Sequence, residues 1–281
     1  MLSPLSIKRT KLSNPFFQEM IPRNIIQSWK THTLPKGLDR QVDHIKKINP
    51  TYSYKLYDDE ECRRFLEDEF GTDYAEAFDD LIPGAFKCDL WRYAMLYAHG
   101  GVYMDIDLEE LVPLDQIISP TDRLVTVVDR KLPEAFRCAL YQAFLAVEPR
   151  HPIMKMALET SLKNVVQRKP VYKKTLFDIT GPVVLGRALN DYLGRDEEDD
   201  ILPGWYPGQK IRLYEFEPSG KFVITSSGKK LFTTEVEYNP SDHYAKIREF
   251  YRDSKRPKTS SSLVVLGVLI VFLIVVSTSK L

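Results

Sequence analysis

Apolar residues recur at Leu38, Val42, Ile45 and Ile48, the three- and four-residue step of a helix with one buried face. Asn49-Pro50 stops it. The run NIIQSW at 24–29 predicts a buried strand, and residues 52–57 alternate like a second one. Asp58 and Asp59 can cap the next helix, whose apolar face holds Cys62, Phe65, Leu66 and Phe70, and Gly71 ends it. The clearest helix is 84–99. Phe86, Leu90, Tyr93, Ala94 and Tyr97 line one side of it, and Gly100-Gly101 closes it. Residues 102–108, VYMDIDL, predict a strand, and 124–128 another. Pro152 and Pro182 sit at first helical positions, before helices at 153–167 and 183–192. Residues 211–217 and 221–237 read as strands, with a Ser-Ser-Gly-Lys turn among them. Alternating strands and helices in the first half predict an open α/β sheet, with ligands beyond the carboxyl ends of its strands.

The end of the chain breaks this pattern. Residues 260–279 carry no charge, and 263–276 are apolar except for Gly267. A helix over the uncharged stretch spans about 30 Å, the hydrocarbon thickness of a bilayer. A buried strand or core helix is the alternative. The position after the polar string DSKRPKTSS favours a transmembrane helix at 262–279. Lys246, Arg248, Arg252, Lys255, Arg256 and Lys258 precede it, and only Lys280 follows. The positive-inside rule then places the body on the cytosolic side of a single-pass membrane protein. The expected division is an N-terminal extension at 1–20, one domain at 21–253, a basic and polar linker at 254–261, and the anchor. No secretory signal pattern opens the chain.

Composition narrows the partners. In 281 residues, 39 Lys+Arg cancel 39 Asp+Glu. No overall field draws nucleic acid, and no basic stripe interleaved with aromatics supplies a local one. Cys62, Cys88 and Cys138 are too few and too scattered for a disulfide framework or a CxxC zinc site, and suit a reducing compartment.

The chemistry concentrates in GGVYMDIDLEEL. Residues two apart on a strand share a face, so Asp105 and Asp107 present carboxylates side by side. Ile106 then points the other way, into apolar packing with Met104 and Leu108. Carboxylates this close repel unless a cation lies between them. Mg2+ or Mn2+, which take oxygen ligands and keep phosphates in their shell, are the natural partners. Solvated carboxylates at a strand end are the alternative. Asp89 and Arg92, three apart on the preceding helix, share a face. They read either as an intrahelical ion pair or as a hexose-hydroxyl acceptor with a supporting guanidinium.

The string CDLWRYAMLYAHGGVYMDIDLEEL is similar to the signature of DXD-containing sugar-binding glycosyltransferases of the family 32 type, which include initiating and inositol-phosphoceramide mannosyltransferases. Asp89, Arg92, Leu96, Tyr97, Gly100, Gly101, Tyr103, Asp105 and Asp107 fill every position of that pattern. IPRNIIQSWKT and YSYKLYDDEECRRF upstream, with ALYQAFLAVEPRHPIM and Thr180-Gly181-Pro182 downstream, extend the resemblance over 21–190.

The resemblance implies a GT-A-like open mixed sheet flanked by helices, a nucleotide-sugar donor and a divalent Mn2+ or Mg2+. By it, Asp107 binds the metal, and Asp105 contacts the ribose and the metal shell. Asp89 and Arg92 hold the donor hexose, Gly100, Gly101 and Tyr103 belong to the donor site, and Trp29 lies near the nucleotide base. Gly181 and Pro182 shape the acceptor side. The family often ends in a His followed by Ser-Trp. Here His243 has no Ser-Trp after it and is a candidate for the metal or phosphate shell, with a surface histidine the alternative. The implied activity is retaining transfer of a hexose to a glycan or glycolipid acceptor, with mannose from GDP-mannose favoured over UDP-sugars. Two other readings stay open. One is a non-catalytic, membrane-tethered sugar- or nucleotide-binding protein. The other is a glycoside hydrolase using Asp105 with Glu109 or Glu110, although carboxylates on one strand face suit a metal better than the separation of about 5–9.5 Å that a hydrolase needs.

Overall fold

A computed structural model describes residues 21–129, 136–167 and 176–233. The expected N-terminal extension, the linker, the anchor at 262–279 and His243 lie outside them. No helix among the described residues is long and apolar enough to cross a membrane.

Asn24–Ser28 (β1), Leu38–Ile48 (α1) and Ser53–Tyr57 (β2) form a parallel β-α-β unit, with Asn24 beside Ser53 and Ser28 beside Tyr57. Asp58 caps Asp59–Phe70 (α2) in a capping box: it accepts from the Glu61 N–H while the Glu61 side chain accepts from its own. Gly71, at φ 99°, ends α2 and starts Thr72–Asp80 (α3), a helix the apolar spacing does not predict. Gly84–His99 (α4) is buried along most of its length. Gly100 (φ 63°) and Gly101 (φ 111°) then turn the chain into Gly101–Met104 (β3). A Cβ on Gly101 would meet Asn24 Oδ1 at 2.3 Å, and one on Gly100 would meet the Val147 carbonyl at 2.7 Å. Both positions require glycine for conformation and for space.

Glu109–Glu110 (β4), Leu124–Val128 (β5), Leu140–Val147 (β6), Pro152–Val166 (α5), Pro182–Tyr192 (α6), Gly204–Tyr206 (β7), Ile211–Phe216 (β8), Phe222–Ile224 (β9) and Lys230–Thr233 (β10) complete the described chain. The sheet runs β2-β1-β3-β6-β5-β8-β9-β10-β4, with β7 beside β8. β6 is antiparallel to β3 and β5, whereas β1–β2, β1–β3 and β5–β8 pair in parallel. The carboxyl ends of β1, β2, β3, β5 and β8 therefore share one rim. Side chains from α2 to α6 cover one face of the sheet, including Leu66, Phe78, Leu90, Leu158 and Leu185. Ile45 of α1, with Leu114, Ile117, Val223 and Phe232, covers the other. This is the open mixed α/β sheet with flanking helices that the sequence predicts.

β3 is shorter than expected. Its ladder stops at Met104, the Asp105 N–H still bonds to the Ala143 carbonyl (2.8 Å), and the chain then turns, with Leu108 N–H bonding back to Asp105 O (3.1 Å). Strand alternation therefore does not set the faces of Asp105, Ile106 and Asp107. Ile106 joins Leu38 and Val42 of α1, whereas Met104 and Leu108 pack in the larger core on that side of the sheet.

Candidate active site

Tyr103 alternates with Val102 and Met104 and faces the helical layer, where α4 lies. Its hydroxyl donates to Asp105 Oδ1 (2.5 Å). The Arg92 guanidinium stacks 4.2 Å above the Tyr103 ring. Its Nη2 lies 3.3 Å from Asp89 Oδ1 and 3.4 Å from Asp105 Oδ1. One cation thus bridges the helix carboxylate and the motif carboxylate. Nη1 donates to the Gln142 carbonyl of β6 (2.6 Å), and Nε has no partner although it is buried. Asp89 is 6% exposed and Arg92 4%, so their attraction is little screened.

Burial pushes the Asp89 carboxyl up to about 7, against the opposing pull of Arg92 and of a hydrogen bond from Thr180. Burial, then the charge of Asp105, raises Asp107 to about 6, and Arg92 opposes this more weakly than either raises it. Arg92 is thus shared between Asp89 and Asp105 and offsets Asp107 only weakly. Two oxygen donors in that state fit a hard divalent cation, which would reverse the repulsion.

Trp29 follows β1 and continues its ladder, donating from its N–H to the Tyr57 carbonyl (3.0 Å). Its side chain packs on the small cluster of Leu38, Val42 and Ile106. Tyr103, Asp89 and Arg92 meet at Asp105 and in its immediate surroundings. Gly100 and Gly101 do not. They lie at the amino end of β3, the far end of the strand from the carboxylates, packed against Val147, Pro149 and Asn24. Their place in the motif reflects the turn from α4 into β3.

Several neighbours are not singled out as site residues by the sequence pattern, although Cys88, Gln142 and Thr180 lie in the segments that carry the resemblance. Cys88 Sγ sits 3.1 Å from Ser28 Oγ, 3.0 Å from the Tyr103 hydroxyl and 3.2 Å from Arg92 Nη2. The Gln27 amide donates to the Met104 and Asp105 carbonyls (3.2 and 3.3 Å) and fixes the start of the turn. Asp129 is buried just past β5, and after burial the charges of Asp105, Asp107 and Asp129 all raise the Tyr141 phenol. Thr180 Oγ1 donates to Asp89 Oδ2 (3.0 Å). Glu110 lies away from this group: fully buried, it accepts from Asn49 (2.7 Å) and cannot serve as a second acid beside Asp105. Among the described residues, His32, Asp58 and Glu61 also group their ligand atoms within 4.8 Å, but Asp58 and Glu61 already serve the α2 capping box.

Residues 35–124 match the family described as "Glycosyltransferase sugar-binding region containing DXD motif". Asp89, Arg92, Tyr103, Asp105 and Asp107 fall inside the match; Trp29, Gln142 and Thr180 fall outside. The chain is 27% identical over 184 residues to inositol phosphoceramide mannosyltransferase 1 of Schizosaccharomyces pombe, covering 64% of this chain and 55% of that protein. It is 32% identical over 124 residues to the initiation-specific alpha-1,6-mannosyltransferase of Candida albicans, covering 42% and 31%. It thus spans about half or less of the length of these curated relatives. Among solved structures, the PaToxG glycosyltransferase aligns with a TM-score of 0.49 at 18% identity, over 63% of this chain and 70% of that one.

Proposed function

We propose that this chain is a metal-dependent hexosyltransferase that moves mannose, in preference to other hexoses, from a nucleotide sugar to a glycan or glycolipid acceptor. The observation that carries the reading is the Arg92 bridge between Asp89 and Asp105 (3.3 and 3.4 Å), which couples a hexose-binding carboxylate to a metal-binding one. The names of the relatives support mannose and a lipid-linked acceptor.

Asp105 and Asp107 would hold Mn2+ or Mg2+, which supplies Lewis-acid neutralisation of the departing diphosphate. Tyr103 and Arg92 orient Asp105 for that task. Asp89 accepts from hexose hydroxyls, and the unpartnered Arg92 Nε–H is a further donor at the site. Trp29, packed on the cluster of Leu38, Val42 and Ile106, would lie near the nucleotide base. Transfer would proceed by same-face attack with retained configuration, a route that needs no covalent nucleophile from the protein. His243 remains a candidate third ligand, and residues 262–279 a candidate anchor that would keep the domain near a membrane-bound acceptor.

Thermal-shift titration of the full chain tests this with GDP, GDP-mannose, UDP and UDP-hexoses, each with and without Mn2+. A Mn2+-dependent rise with GDP-mannose, followed by donor turnover, is expected. No rise with any nucleotide sugar would sink the reading.

A further inference from the structure

We infer that Thr180 is a positioning residue for donor-hexose recognition: it fixes the Asp89 carboxylate that receives the sugar. This rests on the reading that Asp89 holds the hexose. Thr180 comes just before α6 and is fully buried. Its carbonyl accepts from the Tyr93 hydroxyl (3.0 Å) and from Gln142 Nε2 (3.1 Å), so its backbone is held from both α4 and β6. Its hydroxyl is then aimed at Asp89 Oδ2 (3.0 Å), while Arg92 faces Oδ1 (3.3 Å). Arg92 returns to Gln142 through the Gln142 carbonyl (2.6 Å), which closes a ring of contacts among α4, β6 and the entry to α6.

A carboxylate has about four lone-pair sites. Two are engaged here, one on each oxygen, so the carboxylate plane is set and the remaining sites have fixed directions. Recognition of sugar hydroxyls depends on that direction, because a loosely held acceptor loses geometry before it loses charge. The Asp89–Arg92 pair lies on one helix and can form without α6. Thr180 adds the second anchor and ties the direction of Asp89 to the seating of α6.

The test compares ligands with and without the sugar on the full chain with Mn2+, using calorimetric titration with GDP and GDP-mannose, and with UDP and UDP-glucose. Thr180→Val keeps the shape and removes the hydroxyl. It should weaken the preferred nucleotide sugar by about tenfold, the loss of one hydrogen bond to a charged group, and leave the nucleoside diphosphate unchanged. Thr180→Ser should restore binding to within about twofold. Wild-type affinity for the nucleotide sugar in Thr180→Val overturns the inference, and so does an equal loss for both ligands or failure of Thr180→Ser to rescue. If Thr180→Val does not fold, Thr180→Ala carries the same comparison. A wild-type chain that binds neither ligand removes the function proposed above and this inference with it, whereas wild-type binding with no sugar-specific loss removes this inference alone.

Discussion

The two ends of the parallel strands bury charge in opposite ways. At the amino ends, the buried carboxylates Asp122 and Glu148 each face an arginine. Asp122 receives Arg212 Nε and Nη2 at 2.9 and 3.0 Å and also accepts from the Ser119 N–H (2.8 Å). Glu148 faces Arg123, and His151, driven down to about 3 by burial and then by Arg123, stays neutral and accepts from the Ile153 N–H to cap α5. At the carboxyl ends, one Arg92 serves both Asp89 and Asp105, and Asp107 adds a third carboxylate. Burial raises Asp89 to about 7 and Asp107 to about 6, and the charge of Asp105 adds to both shifts. One rim spends its charges on holding the fold; the other leaves negative charge uncompensated, which destabilises the empty protein and suits a cationic ligand.

The largest test removes the uncompensated charge. Asp107→Ala should lower donor turnover by about 10²–10³-fold while leaving the melting temperature unchanged or higher, since a carboxylate repelled by Asp105 is gone. Normal turnover in that variant with Mn2+ present breaks the comparison at the active rim. Arg212→Met at the opposite rim should do the reverse. It strands Asp122, 1% exposed, and should cost about 2–3 kcal/mol in denaturant unfolding. The figure is discounted because the Arg212 side chain is itself 29% exposed. Donor affinity should be unaltered, and a drop in affinity without loss of stability would erase the division of labour.

The smallest effect is in pH dependence. Burial raises Glu110 to about 8, as it raises Asp89 and Asp107. These acids favour the folded state most when protonated, so their contribution is complete below their ordinary values and is lost as pH rises through about 6 to 8. His151 acts oppositely: its contribution is complete above its ordinary 6.5 and is lost as pH falls through about 3. Above pH 6.5 the acids act alone, so the melting temperature of the metal-free protein should fall towards pH 8.5. Glu110→Gln should flatten that slope. A slope identical to wild type would show that Glu110 does not titrate in this range.

Local signals were legible where one element decides the outcome. The limits of α1 and α4, the Asp58 cap and the prolines opening α5 and α6 all follow from spacing and end residues. The Asp89–Arg92 pair is likewise a property of one helix. The sequence pattern failed where several elements decide. LYQAFLAV, which becomes the central strand β6, is too uniformly apolar to show a period. α3 is short and shares its starting glycine with the end of α2. The strand ends early in a turn closed by the Leu108 N–H on the Asp105 carbonyl, after a last bond from Asp105 to Ala143, a residue visible only once β6 is in place. Thr180, Gln142, Cys88 and Ser28 reach the site from separate elements, so no spacing in the chain announces them.

The closing ladder of the sheet has a mechanical consequence. β10 pairs with β4 at Phe232–Glu110 and Thr233–Glu109, and Leu111 N–H bonds to Leu231 O (2.9 Å). β4 starts at Glu109, just past Asp107. A pull on the chain beyond Thr233 would therefore bear on those hydrogen bonds and on the stretch beside Asp107, so the chain's downstream end and the geometry of that turn are linked by a few rungs of backbone.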